Sequence, residues 1–270
     1  MGNQVNPSAV PFLGQKYLNI VNCNISNHAA TASLLLDVSA GICRDQSDTY
    51  DLNLGNYNAL LQQPSANSVT EINAAVNGIN GLDTGTIAAS SVYYVYVVAD
   101  PVSANQTGCM VSLAAPSVGP LMPFGYSAYR HIGYAVTSSG SVFLLSYQPG
   151  VSNNRKFVYD APISVGTTSS SASYAPINLI KFVPLVNNTP VYLNISLTGT
   201  AADTMNLQPG AATGDAIILE AAVTSQAVKA QVLVLAQNTL ISSVNSPTIN
   251  YKNSGTDTIT VAVGAFDYSL

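Results

Sequence analysis

The chain has 270 residues, of which 47% are hydrophobic and only 8% are charged, and its net charge is −5 at neutral pH. About a quarter of the residues of an ordinary globular protein are charged, so this chain must build its polar surface mainly from Asn, Gln, Ser and Thr. Disordered chains combine low hydrophobicity with high net charge, which excludes general disorder here. Abundant Val, Ile, Thr and Tyr instead favour extended sheets.

The few cations argue against nucleic acid as a partner. Eight Lys and Arg residues are scattered along the chain, and only Arg155 and Lys156 are adjacent. Nucleic-acid binding requires clustered basic side chains that replace counterions on the phosphates. Membrane insertion is not expected either, because no run of about 18 uncharged apolar residues occurs. The first residues also lack the charged and apolar regions of a secretory signal.

In chain order, residues 1–28 mix Asn, Pro, Ser and Gly with isolated apolar residues and predict an irregular N-terminal arm. Strands follow, each a short apolar or alternating run bounded by turn residues. The predicted strands are Thr31–Ser39, Tyr50–Leu54, Val69–Asn77, Val92–Ala99, Cys109–Leu113, Tyr129–Thr137, Val142–Tyr147, Lys156–Tyr159, Val191–Thr198, Ala216–Val223, Ala230–Ala236 and Thr258–Phe266.

Four patterns give the clearest local predictions. Val92–Val98 is aromatic and β-branched throughout, which predicts a strand buried on both faces. Thr258–Val263 alternates with a period of two and predicts a half-buried strand. Ser138–Ser141 lies between two such runs and predicts a hairpin turn. Val228–Val234 also alternates, so we predict a strand there although its surroundings have a helix-like composition.

The fold class is therefore all-β, with one or two antiparallel β-sandwich units of jelly-roll type after the arm. Val165–Ser173 is rich in Gly, Ser and Thr and has no apolar period, so it marks a candidate domain boundary. The division is then an arm at 1–28, an N-terminal β domain at 29–164 and a C-terminal β-sandwich at 165–270. A long loop inside a single large sandwich explains the same stretch equally well.

Residues for catalysis are scarce. The two histidines are His28 and His131, and no nucleophile motif accompanies either of them. His131 lies inside a predicted strand, where alternation places Arg130 and Ile132 on one face and His131 on the other, so we interpret it as a structural histidine. The two glutamates, Glu71 and Glu220, do not form the paired carboxylates that glycoside hydrolysis requires.

Three further motifs have weak functional interpretations. Asp45, Asp48 and Asp51 are spaced by three and could offer oxygens to Ca²⁺, but Asp beside Ser and Thr more often closes an Asx turn. The segment Gly78–Gly85 has three glycines without a phosphate-binding pattern, which predicts a tight turn. The cysteines have no metal-binding or disulfide spacing, so we expect small buried hydrophobic side chains. These cysteines are Cys23, Cys43 and Cys109.

The fifteen tyrosines, with no tryptophan, are the remaining candidates for binding. They could stack on sugars or form flat contacts in an interface. Many of them lie inside predicted strands, so packing in the core or between subunits is the default interpretation.

Several blocks between Gly41 and Asp160 resemble segments that recur in virion structural proteins of tailed bacteriophages, of the tail-fibre-like and head-decoration-like kind. The blocks that carry this resemblance are Cys43–Asp51, Ala74–Ala89, Tyr93–Asp100, Pro123–Tyr126 and Tyr129–Tyr134. The resemblance implies a virion location and no catalytic residues to assign. The chain has few Lys or Glu to guard exposed sheet edges, so we predict a closed homo-oligomer in which neighbouring subunits cover them. The resemblance favours a trimer.

Two hypotheses follow. In the first, the chain is a non-enzymatic structural component of a virion (tail fibre, neck fibre or capsid decoration), and its N-terminal arm contacts other virion proteins. In the second, it is a module that binds a host surface glycan through exposed tyrosines without cleaving it. Neither hypothesis expects a cofactor, a metal ion or a catalytic site.

Overall fold

The chain is all-β, as the sequence predicts, and is seen here in a computed structural model. The structure describes residues 20–55, 57–58, 63–64, 69–102, 106–148, 150–151, 153–168, 171–186, 188–198, 203–209, 217–221, 227–241, 244–253 and 258–270. Large antiparallel sheets dominate, consistent with a β-sandwich, and the described residues include no helix. None of the described segments is therefore a helix that could cross a membrane.

Two compact units make up the chain. Unit 1 comprises residues 1–156 together with 269–270, and unit 2 comprises residues 157–268. The strands that begin in unit 1 are β1 (Ile20–Asn22), β2 (Ile25–Asn27), β3 (Leu35–Ser39), β4 (Gly41–Arg44), β5 (Asp51–Leu54), β6 (Tyr57–Asn58), β7 (Gln63–Pro64), β8 (Val69–Asn73), β9 (Gly81–Leu82), β10 (Val92–Asp100), β11 (Gln106–Ser112), β12 (Ala128–Val136), β13 (Ser146–Tyr147), β14 (Gly150–Val151) and β15 (Asn154–Thr168).

The remaining strands begin in unit 2. They are β16 (Ser171–Asn178), β17 (Thr189–Thr198), β18 (Asp203–Pro209), β19 (Ile217–Ala221), β20 (Ala227–Ile241), β21 (Val244–Asn253) and β22 (Thr258–Ser269). The units divide between Lys156 and Phe157, inside β15. The segment 165–173, the candidate boundary, contributes to the end of β15 and the start of β16.

The centre of unit 1 is a four-stranded sheet in the order β12-β10-β11-β9. As predicted, β10 buries both of its faces: Val95 and Val97 belong to the main core, and Tyr96 and Val98 to a second cluster on the other side. A β-bulge interrupts the pairing of β10 with β12 between Val95 and Tyr96. The predicted turn after β12 is also present, because the amide of residue 138 donates to the carbonyl of residue 142 at 2.8 Å.

Unit 2 contains a sheet in which β19, β18, β21, β20, β17 and β22 are neighbours in that order. β20 forms the strand predicted from alternation in Val228–Val234, and β22 is half-buried as predicted. On β22, Ile259, Val261 and Val263 point into the core, whereas Thr258 lies on the exposed face. Phe157 and Phe266 stack in this core with ring centroids 4.8 Å apart.

The predicted arm differs from the structure over its described part. Ile20–Asn22 and Ile25–Asn27 are strands, and Ile20, Cys23 and Ile25 are buried in the core of unit 1. No alternation of apolar and polar residues can be recognised in the sequence here, because each strand has only three residues and polar residues separate the two strands. The rest of the predicted arm, residues 1–19, lies outside the described residues.

Candidate functional site

The three aspartates considered for Ca²⁺ each have a structural role. The Asp45 carboxylate is almost fully buried and accepts hydrogen bonds from the amides of Ser47, Thr49 and Tyr50 at 3.1, 2.6 and 2.7 Å, and from the Ser47 hydroxyl. Burial would raise the pKa of Asp45, but these four hydrogen bonds together hold that pKa below its usual value. Asp45 therefore closes the turn before β5, as the Asx-turn interpretation predicts.

The other two aspartates bind one guanidinium. Arg44 donates from Nε to Asp48 Oδ1 at 3.1 Å and from a terminal nitrogen to Asp51 Oδ1 at 2.8 Å. The hydrogen bond with Asp51 is the largest cause of the raised pKa of Arg44. Burial opposes it, and Asp48 adds to it. Asp48 in the turn and Asp51 at the start of β5 thus fix the tight turn between β4 and β5.

We expect Asp45→Asn to lower the free energy of unfolding by about 1–3 kcal/mol at pH 7, because an amide nitrogen replaces a carboxylate oxygen that faces N–H and O–H donors. The folded-state pKa of Asp45 is depressed, so its contribution is present above the unfolded value of about 3.9 and is lost as the pH falls through the folded value. Urea unfolding at pH 7 and at about pH 2.5 measures this difference. A loss equal at both pH values would contradict the proposed role of the carboxylate.

His131 is a structural histidine, surrounded by tyrosines. It is buried, and its Nε2–H donates to the Gly133 carbonyl at 2.9 Å. Burial lowers the pKa of His131 to about 3, so the ring is neutral at physiological pH. Tyr94, Tyr96 and Tyr134 lie around the ring with centroids 5.4, 5.7 and 4.8 Å away. Arg130 and Ile132 point to the opposite face, as alternation predicts, so these tyrosines pack a core.

His28 lies beside two carboxylates at the surface. Its Nδ1 is 2.9 Å from Asp37 Oδ1 and 3.8 Å from Glu71 Oε2. Asp37 and Glu71 are direct cross-strand partners on β3 and β8, so their like charges face each other. The hydrogen bond with Asp37 is the largest cause of the raised pKa of His28; burial opposes it and both negative charges add to it. A protonated His28 therefore relieves the repulsion between the two carboxylates.

We expect His28→Asn to lower the melting temperature most at acidic pH. The folded-state pKa of His28 is raised, so its stabilising contribution is fully present below the unfolded value of about 6.5 and is lost as the pH rises through the folded value. Melting curves of both proteins from roughly pH 5 to pH 9 check this. Asp37→Asn is the matched control and should flatten the same dependence. A pH-independent gap would contradict the prediction.

The glycine-rich segment includes a tight turn, and the three cysteines are buried, as the sequence predicts. Gly78 and Asn80 have φ values of 102° and 62°, and the Gly81 amide donates to the Gly78 carbonyl at 3.1 Å, so residues 78–81 form a tight turn, whereas Gly81–Leu82 is the short strand β9. Cys23, Cys43 and Cys109 are buried free thiols in the core of unit 1. Burial raises the pKa of Cys43 and Cys109, which keeps both thiols protonated.

A trough with a mainly apolar lining lies between β17, β20 and β22 in unit 2, with a volume of about 410 Å³. Its apolar lining residues are Ile195, Ala230 and Ala262, and polar atoms contribute only a small part of its surface. The polar lining residues are Asn194, Ser196, Lys229, Gln231 and Thr260. The trough has no signal in the sequence, because these five residues come from three separate strands and share no motif.

The loop that joins β11 to β12, residues 113–127, exposes several large apolar side chains, and we call it the apolar loop. Leu113, Val118 and Leu121 are more than half exposed, and Phe124 is fully exposed. Val102, in the neighbouring connection after β10, is 89% exposed. The chain has no charged residue from 101 to 127, which is the sequence signal that could have revealed this surface.

Hydrogen bonds from the sheet hold the apolar loop in place. The bonds run from the Tyr96 hydroxyl to the Ala114 carbonyl (2.6 Å), from the Tyr129 hydroxyl to the Pro116 carbonyl (3.3 Å) and from the Leu121 amide to Asp83 Oδ2 (3.1 Å). Met122 and Tyr126, also in the loop, pack against the cluster around Tyr96. The loop is therefore anchored on one side, and its exposed side chains are presented on the other.

Comparison with known proteins adds no family. No family model and no curated protein matches the chain. Among solved structures, a chain from Bacillus endospore appendages, described as a family of disulfide-linked pili, has a TM-score of 0.26 and 14% identity and covers 45% of this chain and 92% of its own. An exo-β-1,3-galactanase from Phanerochaete chrysosporium has a TM-score of 0.22 and 11% identity, covering 88% and 67%. A chain of infectious bursal disease virus, Gx strain, has a TM-score of 0.20 and 12% identity, covering 99% and 79%.

Proposed function

We propose that the chain is a non-enzymatic structural component of a bacteriophage virion and works as a homo-oligomer, with a trimer favoured. The observation that carries the proposal is the apolar loop, which presents uncharged apolar side chains on an anchored backbone. Monomeric soluble proteins rarely expose large contiguous apolar surfaces, so a surface of this kind indicates a contact with another protein. The resemblance of residues 41–160 to phage virion proteins supports the particle as the setting.

The chemistry of the polar groups supports a structural role. The Asp45 carboxylate closes a turn, His131 is neutral and packed among tyrosines, and Arg44 binds Asp48 and Asp51. The three aspartates were candidates for metal binding and His131 for catalysis, and each of these side chains has a hydrogen bond within the fold. An extended β fold with many non-local strand pairs also suits a particle component, which has to persist without an energy supply.

In this proposal the protein is a tail fibre, a neck fibre or a capsid decoration, and its N-terminal region contacts other virion proteins. Gradient-purified particles from the source phage provide the test. Quantitative mass spectrometry should find the chain in every particle at a fixed copy number that is a multiple of the oligomer size. Particles that lack the chain would refute a virion role, whereas a variable, substoichiometric amount would refute a symmetric structural component.

The trough on unit 2 favours a second function, the binding of a host surface glycan. Its mainly apolar lining can pack against the apolar face of a sugar ring, while the polar residues among its lining, Asn194 and Lys229 in particular, can hydrogen-bond to sugar hydroxyl or carboxylate groups. A glycan array with the full chain should then show binding that Asn194→Ala and Lys229→Ala weaken at least tenfold. Lys181→Ala, which removes one exposed cation elsewhere in unit 2, is the matched control. Binding that all three variants retain would exclude the trough as the site.

A further inference from the structure

We propose that the trough of unit 2 binds an oligosaccharide with one terminal acidic sugar, which lies along β17 with its carboxylate at Lys229 and a neutral ring against Tyr192. The inference rests on the second proposed function, glycan binding. It adds the charge, the minimum length and the direction of the ligand.

Strand register places the polar lining residues of the trough in two rows that cross the three strands. In the order β20, β17 and β22, the first row is Lys229, Ser196 and Thr260, and the second row is Gln231, Asn194 and Ala262. Neighbouring strands lie about 4.8 Å apart, so each row spans about 10 Å. The first row therefore brings one ammonium group and two hydroxyl groups together at one end of the trough.

Tyr192 provides an aromatic platform beyond the second row. Every second residue from Val191 to Leu197 is buried in the core, so Tyr192 faces away from the core together with Ser196. The Tyr192 hydroxyl donates to Asp267 Oδ2 at 2.8 Å, which fixes the position of the ring. Leu233, the direct partner of Tyr192 on β20, is 51% exposed and extends this apolar surface. A sugar ring can pack its apolar face against such a platform.

The spacing along β17 sets the minimum length of the ligand. Tyr192 and Ser196 are four residues apart on an extended strand, which corresponds to about 13 Å. A single sugar ring is too short to contact the Tyr192 ring and the Lys229 ammonium at once. An oligosaccharide that lies along the strand reaches both.

Lys229 favours a carboxylate at its end of the trough. It is exposed, it is the only charged residue among the described residues of the lining, and no ion pair joins it to another described residue. A charge-assisted hydrogen bond between an ammonium and a carboxylate is about twice as strong as one between neutral groups. The chain has a net charge of −5, but charges beyond about 8 Å are largely screened at physiological ionic strength, so the nearby ammonium determines the preference.

Asp267 sets the direction of the ligand. Its carboxylate binds the Tyr192 hydroxyl and therefore places a negative charge at the end of the site that is remote from Lys229. A ligand carboxylate at Tyr192 would meet a like charge, whereas the same group at Lys229 meets an opposite charge. The acidic sugar therefore occupies the row of Lys229, and a neutral ring occupies Tyr192.

Isothermal titration calorimetry of the full chain with two trisaccharides tests the charge. The probes are lactose extended by a terminal sialic acid and lactose extended by a terminal glucuronic acid, each compared with its carboxyl methyl ester. For the sugar that fits, we expect the acid to bind at least tenfold more tightly than the ester. Lys229→Gln should reduce this ratio to less than twofold, and Lys181→Gln, at an exposed position elsewhere in unit 2, should leave it unchanged.

Two variants of Tyr192 test the length. Tyr192→Ala should weaken binding of the trisaccharide at least fivefold and change binding of the free acidic monosaccharide less than twofold. Tyr192→Phe retains the ring and should bind both ligands as the wild type does. Equal effects of Tyr192→Ala on the two ligands would refute the extended placement.

The glycan array separates this inference from the function on which it rests. If acid and ester bind equally, or if the array finds only neutral glycans whose binding Asn194→Ala weakens, the acidic ligand is refuted and glycan binding stands. If neither trisaccharide binds and the array finds no glycan, both the acidic ligand and the glycan function are refuted.

Discussion

Arg155→Ala is expected to lower the free energy of unfolding of unit 1 by about 3–5 kcal/mol, because it leaves two backbone carbonyls without their charged donor. Arg155 is buried and donates from one terminal nitrogen to the Cys23 carbonyl at 2.9 Å and from the other to the Asn22 carbonyl. Asn22 and Cys23 have φ values of 58° and 52°, in the left-handed region that costs a non-glycine residue about 1–2 kcal/mol. The guanidinium thus stabilises a strained turn.

Arg155→Lys separates the charge of this side chain from its geometry. A lysine retains the positive charge but lacks the planar fork that serves two carbonyls at once, so its loss of stability should lie between those of the wild type and the alanine variant. Lys181→Ala, at an exposed position, should change the stability by less than about 0.5 kcal/mol. Urea titration followed by circular dichroism checks all three. If the alanine variant is as stable as Lys181→Ala, the guanidinium does not hold the turn.

The long strands could be predicted because their patterns are independent of distant residues. β10 has seven consecutive aromatic or β-branched residues from Val92 to Val98, and β22 alternates for most of its length. Such patterns require only that some core exists on one or both sides. Alternation along β12 likewise predicted the face of the strand on which His131 lies.

The short strands β1 and β2 could not be predicted, because distant residues define them. Their sequences, Ile20–Asn22 and Ile25–Asn27, are too short and too rich in Asn to show a period. β1 is a strand because it pairs with β4, and the turn after it is held by Arg155, more than a hundred residues further along the chain. Neither contact is visible in the local sequence, which therefore predicted an arm.

The exposure of the apolar loop could not be predicted from the sequence either. A run without charges from residue 101 to 127 can be seen in the sequence, but it is compatible with a buried segment as well as an exposed one. The hydrogen bonds that the loop makes with Tyr96, Tyr129 and Asp83 are tertiary contacts, and in the folded chain Leu121 and Phe124 are exposed. Exposure of an apolar side chain is a tertiary property, since local composition does not determine which face of a loop meets the sheet.

Gly41→Ala is expected to lower the free energy of unfolding by about 3 kcal/mol, at the upper end of the usual cost of overpacking. Gly41 lies at the start of β4 and pairs with Asn22 on β1. A Cβ at this position would lie 2.4 Å from the Val21 carbonyl oxygen, 2.5 Å from the Cys23 amide nitrogen and 2.6 Å from the Cys23 sulfur. Because two of these atoms belong to the backbone, a side-chain rotation cannot relieve the overlap, and β1 has to move away from β4.

Gly140→Ala is the matched control for this steric effect. A Cβ on Gly140, in the turn after β12, would meet only the Ser138 hydroxyl oxygen at 3.6 Å, which is an ordinary contact. Both substitutions reduce the entropy of the unfolded chain equally, so the difference between the two variants isolates the collision between β1 and β4. Gly140→Ala should stay within about 0.5 kcal/mol of the wild type in urea titrations. Equal stabilities of the two variants would mean that β1 does not pack against β4 at this distance. A large loss at Gly41 alone would establish β1 and its Arg155-bound turn as part of the core of unit 1.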